Sequence, residues 1–577
     1  MAALINTLDS YIPTQFGENG HTEYGWSNSI QERILQFSFQ VTRTADDRIN
    51  GLSQTLFDML RQLKNQILNG TLPEKEVAKG YLSVLYRMIG HTRDIIDGKG
   101  EYTLGYMMVH TWYQFFPQLA LFALKCFVDL GDRTVHQYGS WKDLKYFCEY
   151  CKSKGDTVNS ELIQYSVYLI NEQLKRDYAA FLSNSTDVSL AAKWAPREKS
   201  SFGWLYEALA TNYFNEFLET ARNDVQLRKA ILKCKTEYRK VLSSLNRYID
   251  TLQVRQCSKD WMHIDFNKVT SISLLKQKKA FLNVKKNGEV RCPESVDRIT
   301  CATNFNAHIQ RAVAGEVEMK GKRVSMADFT NQALELINTR NEAEKNLLNS
   351  QWRDNASQTE ALGKMIAMVD VSGSMRGDPM NVAIALGIRI AEKSLLGNRV
   401  MTFSSKPTWV NLDGCADFIS KVEIVRDAEW GMNTNFYAAL DMILDAIVQN
   451  KMAPEDVQDM VLVILSDMQM DQGDTCNKDA LYKTMEKKYA DAGLRVHGAS
   501  YKPPHILFWN LRSTSGFPSL ANQRNASMMS GFSPSLLNLF CDQGLTALQS
   551  CTPWSLLNKS LENERYKIMD NKLQEIL

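Results

Sequence analysis

The sequence predicts a multidomain α plus α/β protein, with an irregular helical-repeat N-terminal half and a C-terminal doubly wound parallel-sheet domain. Two observations carry this prediction. Over the first 350 residues apolar positions recur at three- and four-residue steps with no alternating pattern, which is the period of helices that bury one face. From about residue 360, short apolar runs at 365–369, 399–403, 408–412, 460–465 and 505–509 alternate with helical stretches, as in a parallel sheet covered on both faces.

Taken in order, the clearest helical patterns span 30–42, 52–68, 76–89 and 162–182. Asn-Gly-Thr-Leu-Pro (69–73) and Gly-Lys-Gly (98–100) turn the chain between them. No fixed period recurs, so an irregular stack of helix pairs is expected over residues 1–350. The polar segment 351–360 reads as a hinge, residues 361–550 as the sheet domain, and 551–577 as a charged amphipathic helix that packs back or meets another subunit. Within the sheet domain the first helix has a clear start. Asp378 can cap it, Pro379 suits its first position, and Val382, Ala385, Leu386 and Ile390 form an inner face.

Composition points to a folded, reduced, intracellular protein. At 577 residues and 44% hydrophobic, the chain can build several full cores. Its first residues lack a basic region leading into a long apolar stretch, so no secretory signal is read. The most apolar run, 119–124, is too short to span a bilayer and reads as a buried helix, so no membrane partner is expected. Eleven cysteines without a compact framework suggest free thiols and a cytoplasmic setting, with a virion as the other compartment. Cys148 and Cys151 form a lone Cys-x-x-Cys with no second pair at zinc spacing.

The stretch Met-Ile-Ala-Met-Val-Asp-Val-Ser-Gly-Ser-Met (365–375) carries the strongest chemical signal. An apolar strand ends in Asp370, Ser372 and Ser374, oxygens two residues apart that can converge on one cation where the chain curls off the strand. Gly373 allows the tight turn. Thr434, in Gly-Met-Asn-Thr-Asn, and Asp467, after the apolar strand 460–466, would bring hard oxygens from two further loops.

This order of residues resembles the metal-ion-dependent adhesion site of a von Willebrand factor A domain. The resemblance implies that Ser372, Ser374 and Thr434 offer hydroxyls to Mg²⁺ or Mn²⁺, that Asp370 and Asp467 act largely through bound waters, and that one coordination position stays open for an acidic ligand from a protein partner. Five further stretches are similar to signatures of an uncharacterised family of eukaryotes and large DNA viruses: 92–101, 138–144, 191–198, 430–436 and 508–512. The layout, helices followed by a von Willebrand A-like domain, is also similar to that of the Ro autoantigen, whose helical TROVE half binds small structured RNAs. That likeness is one of architecture, and fold does not fix function.

The net charge of +2 gives no nucleic-acid signal for the chain as a whole. Between residues 233 and 291, however, fourteen Lys or Arg face five acids. Lys268, Lys276, Lys278, Lys279, Lys285, Lys286 and Arg291 are the candidate RNA contacts, with Tyr238, Tyr248, Trp261, Phe266 and Phe281 as candidate stacking rings. The alternative is a set of solvated helix faces with the rings in the core.

No catalytic residues are assigned. The chain has no phosphate-cradling Gly-x-x-x-x-Gly-Lys-Ser/Thr loop, no dinucleotide fingerprint, no His-Glu-x-x-His and no Gly-x-Ser-x-Gly elbow. The expected function is therefore non-catalytic binding, with structured RNA on the helical half and Mg²⁺-dependent ligand capture on the other. A protein scaffold or virion assembly component is the alternative, and a Mg²⁺-dependent hydrolase the third class.

Overall fold

The structure is a computed structural model that describes residues 14–577 except 18, 19, 21, 133, 404, 405, 429–435, 459, 470–480 and 542–549. It is mixed α and β, mostly helical, with a parallel-rich sheet in its C-terminal part. The chain enters through two short antiparallel strands, β1 (Thr14–Phe16) and β2 (Thr22–Tyr24), which the helical pattern had hidden. Helices then follow from Ile30–Gln40 to Glu342–Ala356. The predicted break at 69–73 is real. The helix Asp46–Asn69 stops there, and Leu72–Arg93 opens on a capping box between Thr71 and Glu74 with Pro73 in its first turn. The run at 119–124 lies in the short helix Pro117–Cys126, and among the described residues no helix is long and apolar enough to cross a membrane.

Six strands form the main sheet: β3 (Met365–Asp370), β4 (Arg399–Phe403), β5 (Thr408–Asn411), β6 (Val461–Ser466), β7 (His505–Asn510) and β8 (Ala526–Ser530). Their order is β5-β4-β3-β6-β7-β8, with β5 antiparallel to β4 and every other pairing parallel. Strands β3, β6, β7 and β8 are buried at every residue, which explains the apolar runs that marked the first three. Strand β8 escaped the sequence reading because Ala-Ser-Met-Met-Ser has neither β-branched nor aromatic residues.

Alternate residues of each strand serve different cores. Ile366 and Met368 join a cluster shared with the N-terminal helices as far as Leu245, whereas Ala367 and Val369 join one shared with the helices Met326–Leu336, Asp378–Lys393 and Phe418–Asp427. The helix Asp378–Lys393 is capped one residue earlier than predicted, at Gly377, whose φ of 97° favours glycine. Val382, Ala385, Leu386 and Ile390 are buried as expected. This helix sits so close to β3 that a Cβ on Gly387 would lie 2.5 Å from Cγ2 of Val369. Gly387→Ala is therefore expected to destabilise by about 1–3 kcal/mol through overpacking, read from the denaturation midpoint. A change below about 0.5 kcal/mol would show that the helix can slide freely.

Residues 351–360, read as a hinge, are largely helical and packed. They begin inside the helix Glu342–Ala356, where Gln351, Trp352 and Asn355 are buried. Their polarity is spent internally: the Gln351 amide donates to the carbonyls of Ser271 and Lys320, and the Trp352 ring lies between Phe418, 3.9 Å away, and the Arg389 guanidinium, also 3.9 Å away. The N-terminal segment likewise docks on the far sheet edge. Backbone bonds link Tyr24 and Phe517, the Asn510 amide donates to Phe39 O at 2.9 Å, and Ser530 Oγ donates to Ser38 O. The tail is two helices, Pro553–Leu561 and Lys567–Ile576, both packed back on Leu72–Arg93.

The signature 92–101 is where these parts are tied together. Arg93 forms a buried bidentate pair with Asp143, Asp94 takes a bidentate pair from Arg565 of the tail, and Lys99 Nζ donates to Ser38 O, Val41 O and Ser530 Oγ. Gly98 is needed because a Cβ there would fall 2.1 Å from His91 O.

Candidate metal centre

Strand order reverses between β3 and β6, and such a switch point opens a crevice at the carboxyl ends of the two strands. Asp370 ends β3 and Asp467 follows β6, so the fold places both carboxyls in that crevice, and neither has exposed surface (0%). Asp370 Oδ1 accepts the Ser372 N–H at 2.9 Å, and Oδ2 accepts Ser466 Oγ at 2.6 Å. The chain then turns through Gly373–Met375, a single 3-10 turn that sets Ser372 Oγ and Ser374 Oγ 3.2 Å apart. Asp467 Oδ1 accepts the Gln469 N–H at 3.2 Å, and Ser374 also hydrogen-bonds to this carboxyl.

The structure thus brings together Asp370, Ser372, Ser374 and Asp467, four of the five residues predicted for the site. Thr434 lies outside the described residues. Two groups that sequence reasoning left out complete the described arrangement. Ser466 holds Asp370. Arg512, just beyond β7, donates Nη1 to Asp467 Oδ2 at 3.0 Å and to Ser374 O at 3.4 Å. Arg512 was visible as the last residue of the signature 508–512, and its position past a parallel strand end was the available signal.

Electrostatically the crevice sets two buried carboxyls against one guanidinium, that of Arg512. Burial and the neighbouring Asp467 push the Asp370 carboxyl up to about 7, against the hydrogen bonds from Ser372 and Ser466 that favour its charge. Burial also raises Asp467, opposed by the Gln469 N–H and by Arg512. Two buried carboxyls, both raised by burial and one of them also by the other, beside paired hydroxyls are a donor set that fits a hard divalent cation. Among the described residues no group of three or more His, Cys, Asp or Glu could hold a metal, so nothing competes as a zinc-type site. Cys148 and Cys151 are buried on the helix Lys142–Ser153, where burial pushes the Cys148 thiol up to about 12, far from a metal-ready thiolate.

The basic block 233–291 is less uniform than its sequence. Lys278 is buried and paired with Glu344 at 3.0 Å, so it is a structural cation and not an RNA contact. Lys268 and Lys285 are exposed but pair with Asp265 and Glu289. Lys276, Lys286 and Arg291 are exposed, Lys279 is partly so, and none of the four has an ion pair among the described residues. The proposed stacking rings are mostly committed elsewhere: Tyr238, Phe266 and Phe281 are buried, Trp261 is covered by Arg298 at 3.8 Å, and Tyr248 packs edge-on against Phe181. Their aromatic character came from core packing, the alternative the sequence had left open.

Residues 152–365 match the family described as Domain of unknown function (DUF2828). Residues 364–574 match the one described as Domain of unknown function (DUF7788). The two matches meet where β3 begins. A protein of Acanthamoeba polyphaga mimivirus, "Uncharacterized protein L728", is 27% identical over 562 residues, covering 95% of this chain and 87% of its own length. The chain is thus similar, nearly end to end, to a viral protein, and its similarities support a family of unknown function with viral members. The DUF7788 match contains Asp370, Ser372, Ser374, Asp467 and Arg512, and it extends through the two tail helices that pack on the N-terminal part.

Proposed function

We propose that this chain is a non-catalytic binding protein whose C-terminal sheet is a von Willebrand factor A-like domain that captures an anionic oxygen from a protein partner through Mg²⁺ or Mn²⁺. The carrying observation is the convergence of two buried carboxyls and two hydroxyls from separate loops at the sheet's switch point. The doubly wound order with one antiparallel strand at its edge supports the same reading. Asp370, Ser372, Ser374 and Asp467, together with Thr434, would hold the ion, which when bound supplies an open position for a carboxylate oxygen. The residues of this chain do the rest. Ser466 and the Ser372 N–H fix the Asp370 carboxyl, and Arg512 orients Asp467.

The test uses the full chain, because the strand at Tyr24 and the two tail helices pack into it. Calorimetry with Mg²⁺ and Mn²⁺, followed by a pull-down with either ion or with chelator, compares the parent with Thr434→Ala. Divalent-dependent capture by the parent and its loss in Thr434→Ala are expected. A partner profile indifferent to chelator and to the mutation would show that the domain is kept for its fold and not for an ion. For the helical half we propose contact with structured RNA through Lys276, Lys279, Lys286 and Arg291, which have no ion pair among the described residues.

A further inference from the structure

Two of the signatures converge on one surface. Lys142 and Lys145 come from the first turn of the helix Lys142–Ser153, and Lys193, Trp194 and Arg197 from the segment 191–198. The Nζ atoms of Lys142, Lys145 and Lys193 lie 5.9, 5.7 and 5.7 Å from the centre of the Trp194 ring. Lys145 is also 4.9 Å from Tyr146 and 5.1 Å from Phe202. Three ammonium groups thus share one half-buried indole.

Three of the nearby acids are engaged elsewhere. Asp143, between the two helix lysines, points inward to Arg93 and Tyr106. Glu198 pairs with Arg239 at 2.6 Å, and Glu101 pairs with Arg43 at 3.3 Å. Among the described residues Lys142, Lys145, Lys193 and Arg197 have no ion pair. Lysines three residues apart on a helix repel, and ring contacts hold the ammonium groups in place without neutralising their charge. The strain registers in the side chains themselves. Burial, then the charges of Lys142 and Arg197, hold the Lys145 ammonium below its usual range, and burial does the same to Lys193.

We infer that Lys142, Lys145, Lys193 and Arg197, arranged around Trp194, form a binding site for a phosphate-bearing ligand, either the backbone of a single-stranded nucleic acid or a free polyphosphate. A multivalent oxyanion supplies the charge the surface lacks, and amines held by ring contacts are placed without closing ion pairs on one another. The site is separate from the crevice of Asp370 and Asp467 and does not depend on a metal there. It is also distinct from the surface of Lys276 and Lys286.

The experiment titrates the full chain at low salt with tripolyphosphate by calorimetry, and with a fluorescein-labelled 12-nucleotide uridine RNA by anisotropy. Lys145→Gln/Lys193→Gln is expected to lose at least tenfold in affinity for whichever probe the parent binds. Arg197→Gln, at an exposed position, serves as a second variant if the double substitution perturbs folding, with melting curves as the check. Tighter binding of RNA than of tripolyphosphate, with an affinity that falls as salt rises, identifies a nucleic-acid backbone. The reverse order identifies a free polyphosphate. Lys276→Gln/Lys286→Gln is the control, since its loss of RNA binding with Lys145→Gln/Lys193→Gln unchanged would move the site to the other surface and overturn the inference. Failure of the parent to bind either probe, or retention of affinity within threefold in both variants, would also overturn it.

Discussion

Asp370→Ala is expected to abolish divalent binding, weakening Mg²⁺ or Mn²⁺ by at least about 100-fold, or roughly 2.7 kcal/mol. The carboxyl is fully buried, is fixed by Ser372 and Ser466, and stands beside Asp467, so nothing nearby can replace it. The same substitution removes one of two like charges from a crevice with no exposed carboxyl surface. The metal-free variant is therefore expected to melt no lower than the parent. The pH dependence follows in sign. The folded-state carboxyl is raised to about 7, so a proton competes with the cation, and affinity should fall as pH drops from 8 through 7 to 6. Because the native state then binds more protons than the unfolded chain, the metal-free protein should gain stability as pH falls from about 7 towards 4. Calorimetry at three pH values reads the first trend and denaturant melts read the second. Equal Mg²⁺ affinity in parent and Asp370→Ala would sink the site.

The largest effect on stability is expected from Asp143→Ala, a loss of about 3–5 kcal/mol. Asp143 accepts Nε and Nη2 of Arg93, each at 2.7 Å, together with the Tyr106 hydroxyl at 2.6 Å and the Ser140 N–H at 2.7 Å. The two charged side chains are 1% and 0% exposed, so alanine would strand a guanidinium in the core. Replacing both partners, as in Arg93→Met/Asp143→Leu, should recover much of the loss, because the uncompensated charge is gone. Chemical denaturation of the three variants makes the comparison. A single-variant loss under 1 kcal/mol would mean that water reaches this pair. The pair joins the segments 92–101 and 138–144. Each supplies one half of a buried ion pair, a structural demand as strict as a catalytic one.

What could be read from the sequence was local. Apolar runs bounded by turns marked β3 to β7, most clearly β3, β6 and β7, because a strand buried on both faces must be apolar along its length, and the three-to-four period marked helices that bury one side. Asp370, Ser372 and Ser374 were legible for the same reason, since one strand end carries all three. Tertiary structure alone decided the rest. Segment 351–360 looked like a hinge because its residues are polar, but polarity does not reveal that Gln351 and Asn355 would be buried with their amides satisfied by distant carbonyls. Lys278 looked like one more surface cation until Glu344 was placed against it, and the rings of the basic block looked free until they closed into a core. Pairing Asp467 with Arg512, and gathering Lys142, Lys145 and Lys193 on one indole, join residues far apart in the chain. Periodicity and composition are sums over neighbours in sequence, whereas burial and charge compensation are sums over neighbours in space, and only the folded chain makes those neighbours known.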